Sequence, residues 1–433
     1  MRNGSTPGPQ PWGQLAALCL VPFTMVLGNA MLMPVLPQMG EQLGLSGSAA
    51  GLAVTAFSLT AGLGILLAGY LADRYGRKPV VLPGLLLFAT GAAAAALSGW
   101  LLGEAGFPAL VGARVVQGLG AAGMAYMAMA FVGDLFDGGA RVTALGLLEA
   151  AAGLGKLLSP IGGAVAGSVL AWWSIFVIQA TVALSAALAV WLLTREPPRE
   201  KEVQSQGYFG SLVRVIQQKG ISLGACLWTG LINQFVLFGV LFFLTQHLEN
   251  EHGIHGLAKG LYLLWPLLAL SLCAFVAGLV LDRRKGWLKG AVLAGVTTVL
   301  IGTGVMALIP AGWASLLGAV LVGIGTGLQL PGLNDLVTGT VAAAQRGGIT
   351  AAYGAVRFLG TALGPPLFGW FMSVGELLPF GVAGGLLALT GAVILLLIDP
   401  KKLRSPGGGG PEGRSPEPWQ VPTGLPSGTR GNL

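Results

Sequence analysis

Charge is what this 433-residue chain has least of. Only 9% of its residues are Asp, Glu, Lys or Arg, against about 25% in soluble domains, so a pair of water-soluble domains is excluded. Its three cysteines, Cys19, Cys226 and Cys273, fall in three separate apolar segments. They read as small packing residues rather than a disulfide framework or a metal site. The three histidines, His247, His252 and His255, crowd into one stretch with Glu249 and Glu251. Their spacing follows no zinc pattern, and a solvated loop with no metal is expected there. A Walker sequence is missing, which argues against direct ATP drive. No nucleophile–base constellation or appended catalytic domain points to an enzyme, and no cofactor is expected. The formal charge of +7 is not gathered into one patch, which argues against a nucleic-acid partner.

What is abundant is apolar and small. Hydrophobic residues make up 54% of the chain, and 71 residues are glycine, which lets membrane helices approach closely. Twelve segments are long enough to cross a bilayer at about 20 residues each: 14–37, 48–70, 79–99, 107–131, 142–167, 170–193, 221–245, 258–281, 288–309, 312–335, 347–373 and 376–398. They read as helices, because lipid leaves no partner for an open backbone and the runs are too apolar for barrel strands. The fold class expected is therefore an all-α integral membrane protein. The first span is too long for a signal-peptide core and is expected to stay.

The basic residues give an orientation. With the N-terminus inside, the even-numbered gaps and both tails, counting Lys289 at the edge of its span, hold 20 of the 24 Lys and Arg residues; the odd-numbered side holds only Lys259, at the edge of its span, and Arg114, Lys156 and Arg357 lie well within spans. That asymmetry puts both termini in the cytoplasm of a multi-pass cell-membrane protein. The chain divides into a disordered tail (1–13), a first six-helix bundle (14–193), a cytoplasmic linker (194–220) with a short surface helix at 208–219, a second bundle (221–398) and a disordered tail (399–433), the last rich in Gly, Pro and Ser. The halves repeat weakly. Asp73-Arg74 recurs as Asp282-Arg283 after 209 residues, Gly155-x-x-x-Ser159-Pro160 as Gly360-x-x-x-Gly364-Pro365 after 205, and Asp134 as Asp335 after 201. Nearly constant offsets imply parallel halves.

One run carries most of the information: Gly69-Tyr70-Leu71-Ala72-Asp73-Arg74-Tyr75-Gly76-Arg77-Lys78. It resembles the G-x-L-A-D-R-x-G-R-K loop of the major facilitator superfamily, between the second and third membrane helices. Arg114-Val115-Val116-Gln117-Gly118-Leu119-Gly120-Ala121-Ala122 resembles the family's fourth-helix motif, and Leu27-Gly28-Asn29 through Pro37 the first-helix motif of its drug-efflux members. The fifth span, with Gly146, Gly153, Gly155, Ser159, Pro160, Gly162 and Gly163, is similar to the antiporter motif, with Ser159 in place of a glycine and shortened final spacing. The resemblance covers roughly residues 15–398 and is greatest to the twelve-helix drug:proton antiporters. It implies two pseudo-symmetric six-helix bundles and a cytoplasmic gate of Gly69, Asp73, Arg74, Gly76, Arg77, Lys78, Asp134, Asp282 and Arg283. In that gate Asp73 meets the start of the eleventh span and Arg77 reaches Asp134. Gly146, Gly153, Gly155, Pro160, Gly163, Gly360, Gly364 and Pro365 are expected to pack a bent helix closely against the opposite bundle.

An ionisable group inside a span needs a partner or a function. Glu149 is the one carboxylate well inside a span, and Lys156 follows two turns later on nearly the same face. Glu149 is the proton-coupling candidate, with Lys156, Arg114 and Arg357 as the cations available to it; a fixed charge network is the bland alternative. By resemblance the cavity lies between the halves, lined by Asn29, Met33, Arg114, Gln117, Met124, Trp228, Asn233, Gln234 and Gln329. Efflux members often keep an acid where this chain has Asn29 and Gln117. The function expected is secondary transport, by alternating access, of small amphipathic compounds or drugs outward against protons, by a monomer in the lipid bilayer. A symporter or a lipid or metabolite exporter is the alternative, and a sensor or membrane enzyme a weaker third.

Overall fold

The structure, a computed structural model, describes residues 12–136, 138–196, 208–283, 285–309, 312–338, 346–400 and 403. Of the expected disordered tails, all but residues 12, 13, 399, 400 and 403 lie outside the described residues, as do residues 197–207 of the linker; Trp12 and Gly13 instead begin α1. Everything described is helix or short connection, in fourteen α-helices. The first half holds α1 (Trp12–Ala30), α2 (Leu36–Gln42), α3 (Gly47–Tyr75), α4 (Lys78–Leu101), α5 (Phe107–Ala122), α6 (Ala125–Leu135), α7 (Gly138–Val169) and α8 (Ser174–Leu193). The second holds α9 (Tyr208–Asn250), α10 (Gly256–Arg283), α11 (Leu288–Leu308), α12 (Gly312–Thr338), α13 (Arg346–Val374) and α14 (Leu378–Leu397).

Local chemistry sets the ends and breaks. Ser46 caps α3, its hydroxyl accepting from the Ala49 N–H at 3.3 Å. Pro79 stands in the first turn of α4, where a missing N–H costs nothing. The first expected span is not one helix. It breaks into α1, a 3-10 turn at Met33–Val35 and α2, where Pro34 and Pro37 withhold two N–H groups. The fourth span also breaks, between α5 and α6 at Gly123-Met124, where Gly118, Gly120 and Gly123 weaken the helix. Residues 208–219 are helical, and the chain turns at Gly220 (φ 49°) into the seventh span.

Eleven of the twelve expected spans are long and apolar enough to cross a membrane. The eleventh, 347–373, is the exception: α13 has the length at 29 residues but is less apolar, with Arg346 and Arg357 along it. It packs between α3 and α9. On the outside, α10 presents Leu257, Leu261, Trp265, Leu272, Phe275, Val276 and Leu279 in one helical stripe, a surface that only lipid can solvate.

The two halves are built alike. In the first, α1 packs on α7 and α8, α3 on α5, and α4 on α5 and α8. In the second, α9 packs on α13 and α14, α10 on α12, and α11 on α12 and α14. Replacing α1, α3, α4, α5, α7 and α8 by α9, α10, α11, α12, α13 and α14 turns one set of pairings into the other. The same exchange relates the two main contacts between halves, α3 with α13 and α7 with α10. Without a hydrophobic force between helices in lipid, these seams depend on close backbone approach. A Cβ at Gly51 would stand 2.7 Å from Pro366 N, and one at Gly62 2.9 Å from Ala355 O, so α3 meets α13 backbone to backbone.

Candidate functional site

Three polar regions lie along the bundle. At the end carrying the G-x-L-A-D-R-x-G-R-K run, Arg77 Nε donates to Asp134 Oδ2 at 3.1 Å, tying the α3–α4 turn to the end of α6. Glu196, just past α8, accepts from the backbone N–H of Arg77 and of Lys78, each at 2.7 Å. Its carboxylate thus sits on the positive N-terminal end of α4. Lys78 Nζ answers by donating to the carbonyls of Trp191 (2.9 Å) and Thr194 (2.6 Å) at the end of α8. Gly76 is needed twice over: its φ is 120°, and a Cβ there would lie 2.6 Å from Glu196 Oε1. Gly69 is buried within α3. Arg74 stays local, donating to Tyr70 Oη at 3.2 Å and lying over the Tyr75 ring. The side chains of Asp73, Asp282 and Arg283 lie outside the described residues, so the expected meeting of Asp73 with the eleventh span is among them.

Glu196 was not a sequence candidate. It stands beyond the apolar run, in a stretch of mixed charge, and only its position after Arg195 at the helix end marks it. Glu196→Gln is expected to keep one acceptor and lose the charge, costing on the order of 1–2 kcal/mol. A lower melting temperature in detergent with slower transport is the expected reading; unchanged melting and turnover would mean that the carboxylate does not hold this turn.

The second region is a closed polar cage inside the first half. Arg114 is 0% exposed. Its Nε donates to Ala53 O and its Nη1 to Gly28 O, both at 2.9 Å; Nη1 also donates to Gln117 Oε1 at 2.6 Å, and Nη2 to Asn29 Oδ1. The guanidinium lies 4.4 Å from the Phe57 ring centre and 5.7 Å from that of Phe176. The network continues from Gln117 Nε2 to Gln179 Oε1 (2.7 Å), from Gln179 Nε2 to Leu27 O (3.0 Å), and from Asn29 Nδ2 to Ser58 Oγ (2.6 Å). This corrects two expectations for this conformation. Arg114 does not reach Glu149, and Arg114, Gln117 and Asn29 are buried within one half instead of facing an open cavity. Met33 and Met124 are likewise buried. Trp228 turns its N–H to Thr390 on α14 at 3.1 Å. In the second half, Asn233 Oδ1 accepts from Gln329 Nε2 (2.8 Å) and Thr326 Oγ1 (3.0 Å). Gln234 alone of the amides named from sequence is partly open.

The third region lies between the halves. On α7 one face runs through Gly146, Glu149, Gly153, Lys156, Pro160 and Ala164. At its far end it is sealed: a Cβ at Gly260 of α10 would lie 2.9 Å from Pro160 O and 3.0 Å from Ala164 Cβ. Toward the Arg77 end the same face is open. A Cβ at Gly146 or Gly153 would meet nothing within 4 Å, nor would one at Gly278, five turns along α10 from Gly260. The expected tight packing of the glycine ladder is therefore absent at 146 and 153. Gly155 and Gly163 do pack closely, but within their own half, Gly155 against α1 and Gly163 against Met31 and Pro34 in the break that follows it, and Gly360 and Gly364 against α9 of theirs. At the opposite end α3 also closes on α13, with Gly369 against Ser48. Into the opening project Glu149, which is exposed, and Lys156, which is partly so. Lys156 lies within electrostatic reach of both Glu149 and Arg357 of α13. Among the described residues no salt bridge within 4.0 Å joins Glu149 to a cation.

Two pseudo-symmetric half-bundles, in contact along α3 and α13 and parted along α7 and α10 toward the Arg77 end, with ionisable groups in that gap, have the architecture of a carrier with its site between the halves. The Major Facilitator Superfamily model matches residues 18–309 and 226–426, and the chain belongs to that superfamily of transporters. The Bacillibactin exporter of Bacillus subtilis (strain 168) is 36% identical over 396 residues, 90% of this chain and 97% of that protein. The Multidrug efflux protein YfmO of the same strain is 26% identical, covering 92% and 95%. Among solved structures a D-xylose-proton symporter superposes with a TM-score of 0.75 at 16% identity, over 90% of this chain and 99% of its own, a likeness of fold alone.

Proposed function

We propose that the chain is an exporter that moves small amphipathic compounds from the Arg77 end, which we place in the cytoplasm, to the Glu249 end, using proton entry as the driving force. The observation that carries the reading is the α7 face, sealed at Pro160 and Ala164 and open at Gly146 and Gly153, with Glu149 in the open part. It supports a carrier open to cargo at the Arg77 end. The names of the relatives support outward movement, since both the bacillibactin and the multidrug relative are named for export or efflux. The partition of Lys and Arg supports the orientation. Domain limits follow the helices, one bundle per half, with the Arg77–Asp134–Glu196 cluster as part of the cytoplasmic gate.

A second reading rests on the charge of the opening. Lys156 and Arg357 outnumber Glu149, so an anionic compound could settle beside the two cations. It would draw a proton onto Glu149 and travel with it, as in symport. A cationic compound would compete with the proton for Glu149, which is antiport.

Purified protein in proteoliposomes separates these. Under an imposed gradient with the Glu249 side acidic, export by antiport accumulates cationic or neutral amphipaths on the acidic side. Anions carried with protons would move the other way. Movement of no compound class under either gradient would overturn the proposal. In right-side-out vesicles of the same protein, Asn250→Cys is expected to react with an impermeant thiol reagent; protection there would reverse the orientation.

A further inference from the structure

The three histidines do not form one loose group. Glu249 is held by Lys259 Nζ at 2.6 Å, with His255 Nδ1 at 3.3 Å, so that carboxylate already has its cation. Beside it stands a different set. His247 Nδ1 lies 3.1 Å from Glu251 Oε1, and one ligand atom each from His247, Glu251 and His252 lie within 4.8 Å of one another. Among the described residues no Lys or Arg pairs with Glu251.

We propose that His247, Glu251 and His252 bind a divalent transition-metal ion of the zinc kind at the end opposite Arg77. Two imidazoles and a carboxylate are the donors such an ion takes, at about 2 Å each, leaving a fourth position for water. The three atoms are slightly farther apart than one ion requires, and exposed Glu251 has the rotamer freedom to close on it, while the His252 ring is placed beside the His247 ring (centres 5.0 Å apart) and against Gly312. The remaining ligand is already fixed. The His247 ring stacks on Phe243 at 5.3 Å and 18°, and Phe243 is wedged edge-on against Phe380 of α14 at 4.8 Å. The backbone is fixed too. Glu251 N–H donates to His247 O at 3.1 Å, and Gly253, with φ 60°, ends the turn by donating to Glu249 O at 3.2 Å. The site lies at the C-terminal end of α9, the negative end of the helix dipole, which favours a cation. The sequence hid this arrangement because His247 and Glu251 are one helical turn apart, whereas His252 joins them only through the turn that follows.

The test is calorimetric titration of the full chain in detergent with Zn²⁺, any purification tag removed, and Co²⁺ absorption as a report of ligand geometry. One saturable site is expected. His247→Ala and His252→Ala should each weaken it by at least about tenfold, and Glu251→Gln should weaken it too. His255→Ala should stay within about twofold, since that ring belongs to the Glu249–Lys259 pair. Elution profile and melting temperature confirm that each variant is folded. Non-saturable uptake, or wild-type affinity in the folded His247→Ala/His252→Ala double variant, would overturn the assignment.

Discussion

Arg114→Ala is expected to leave little folded protein, and what survives should melt far below the wild type while handling substrate normally per folded molecule. The side chain makes four hydrogen bonds, three of them to two other helices: the carbonyl of Gly28 and the amide of Asn29 on α1 and the carbonyl of Ala53 on α3, with the fourth to Gln117 one turn along its own α5. Interhelical hydrogen bonds in membranes average about 0.6 kcal/mol each, which sets a floor near 2 kcal/mol for the set. Removing one side of a buried polar network leaves the other side unpaired, and that raises the loss toward roughly 5 kcal/mol. Arg114→Lys should rescue poorly. An ammonium has three donors at a point, and these acceptors are spaced for the fork of a guanidinium. The measurement is melting temperature beside flux normalised to folded protein. Normal melting with a shifted substrate range would return Arg114 to the cavity wall, where the sequence placed it.

That contrast shows where sequence reading stops. The spans were legible because a bilayer demands long apolar runs, and the Arg77–Asp134 contact was legible because a spaced motif carries its own geometry. Arg114 was visible as a charge in a span, but a charge in a span does not say which way it faces. Asn29 supplied the missing half of the answer: it stands where efflux relatives keep an acid, and here it accepts from the guanidinium. Glu196 lay beyond the hydropathy signal altogether. The break at Gly123-Met124 contains no proline to announce it. Gly146 and Gly153 were read as packing residues, which is what glycines in membrane helices usually are. Their packing depends on how far the halves have parted, and a single sequence encodes more than one such state. The metal ligands were hidden for a simpler reason, since a period-four pair and its neighbour become a triad only when the end of α9 is known.

Glu149→Gln is expected to abolish uphill movement of substrate, a loss of tenfold or more, while downhill exchange survives in part. The substitution keeps the shape of the side chain and removes its titration, so it separates coupling from packing. The position suits the role in three respects. Glu149 is exposed to the opening, it shares its face with Lys156 two turns away, and Arg357 approaches the same Lys156 from the other half. When the halves close at the Arg77 end, Gly146 and Gly153 must come against α10, and Glu149 must lose water. A group that carries the coupled proton must change its surroundings between the two conformations, and the closing of this face around Glu149 is the change we propose for it. Neutralising the site should erase the dependence of flux on an imposed pH gradient, not merely lower the rate. Lys156→Met should displace the pH dependence of flux, because Lys156 is the cation that shares the face of Glu149. The reading is flux against pH on each side, with and without a proton gradient. Uphill transport by Glu149→Gln equal to the wild type would leave Glu149 a solvated charge in the gate and would require the coupling group to be sought elsewhere.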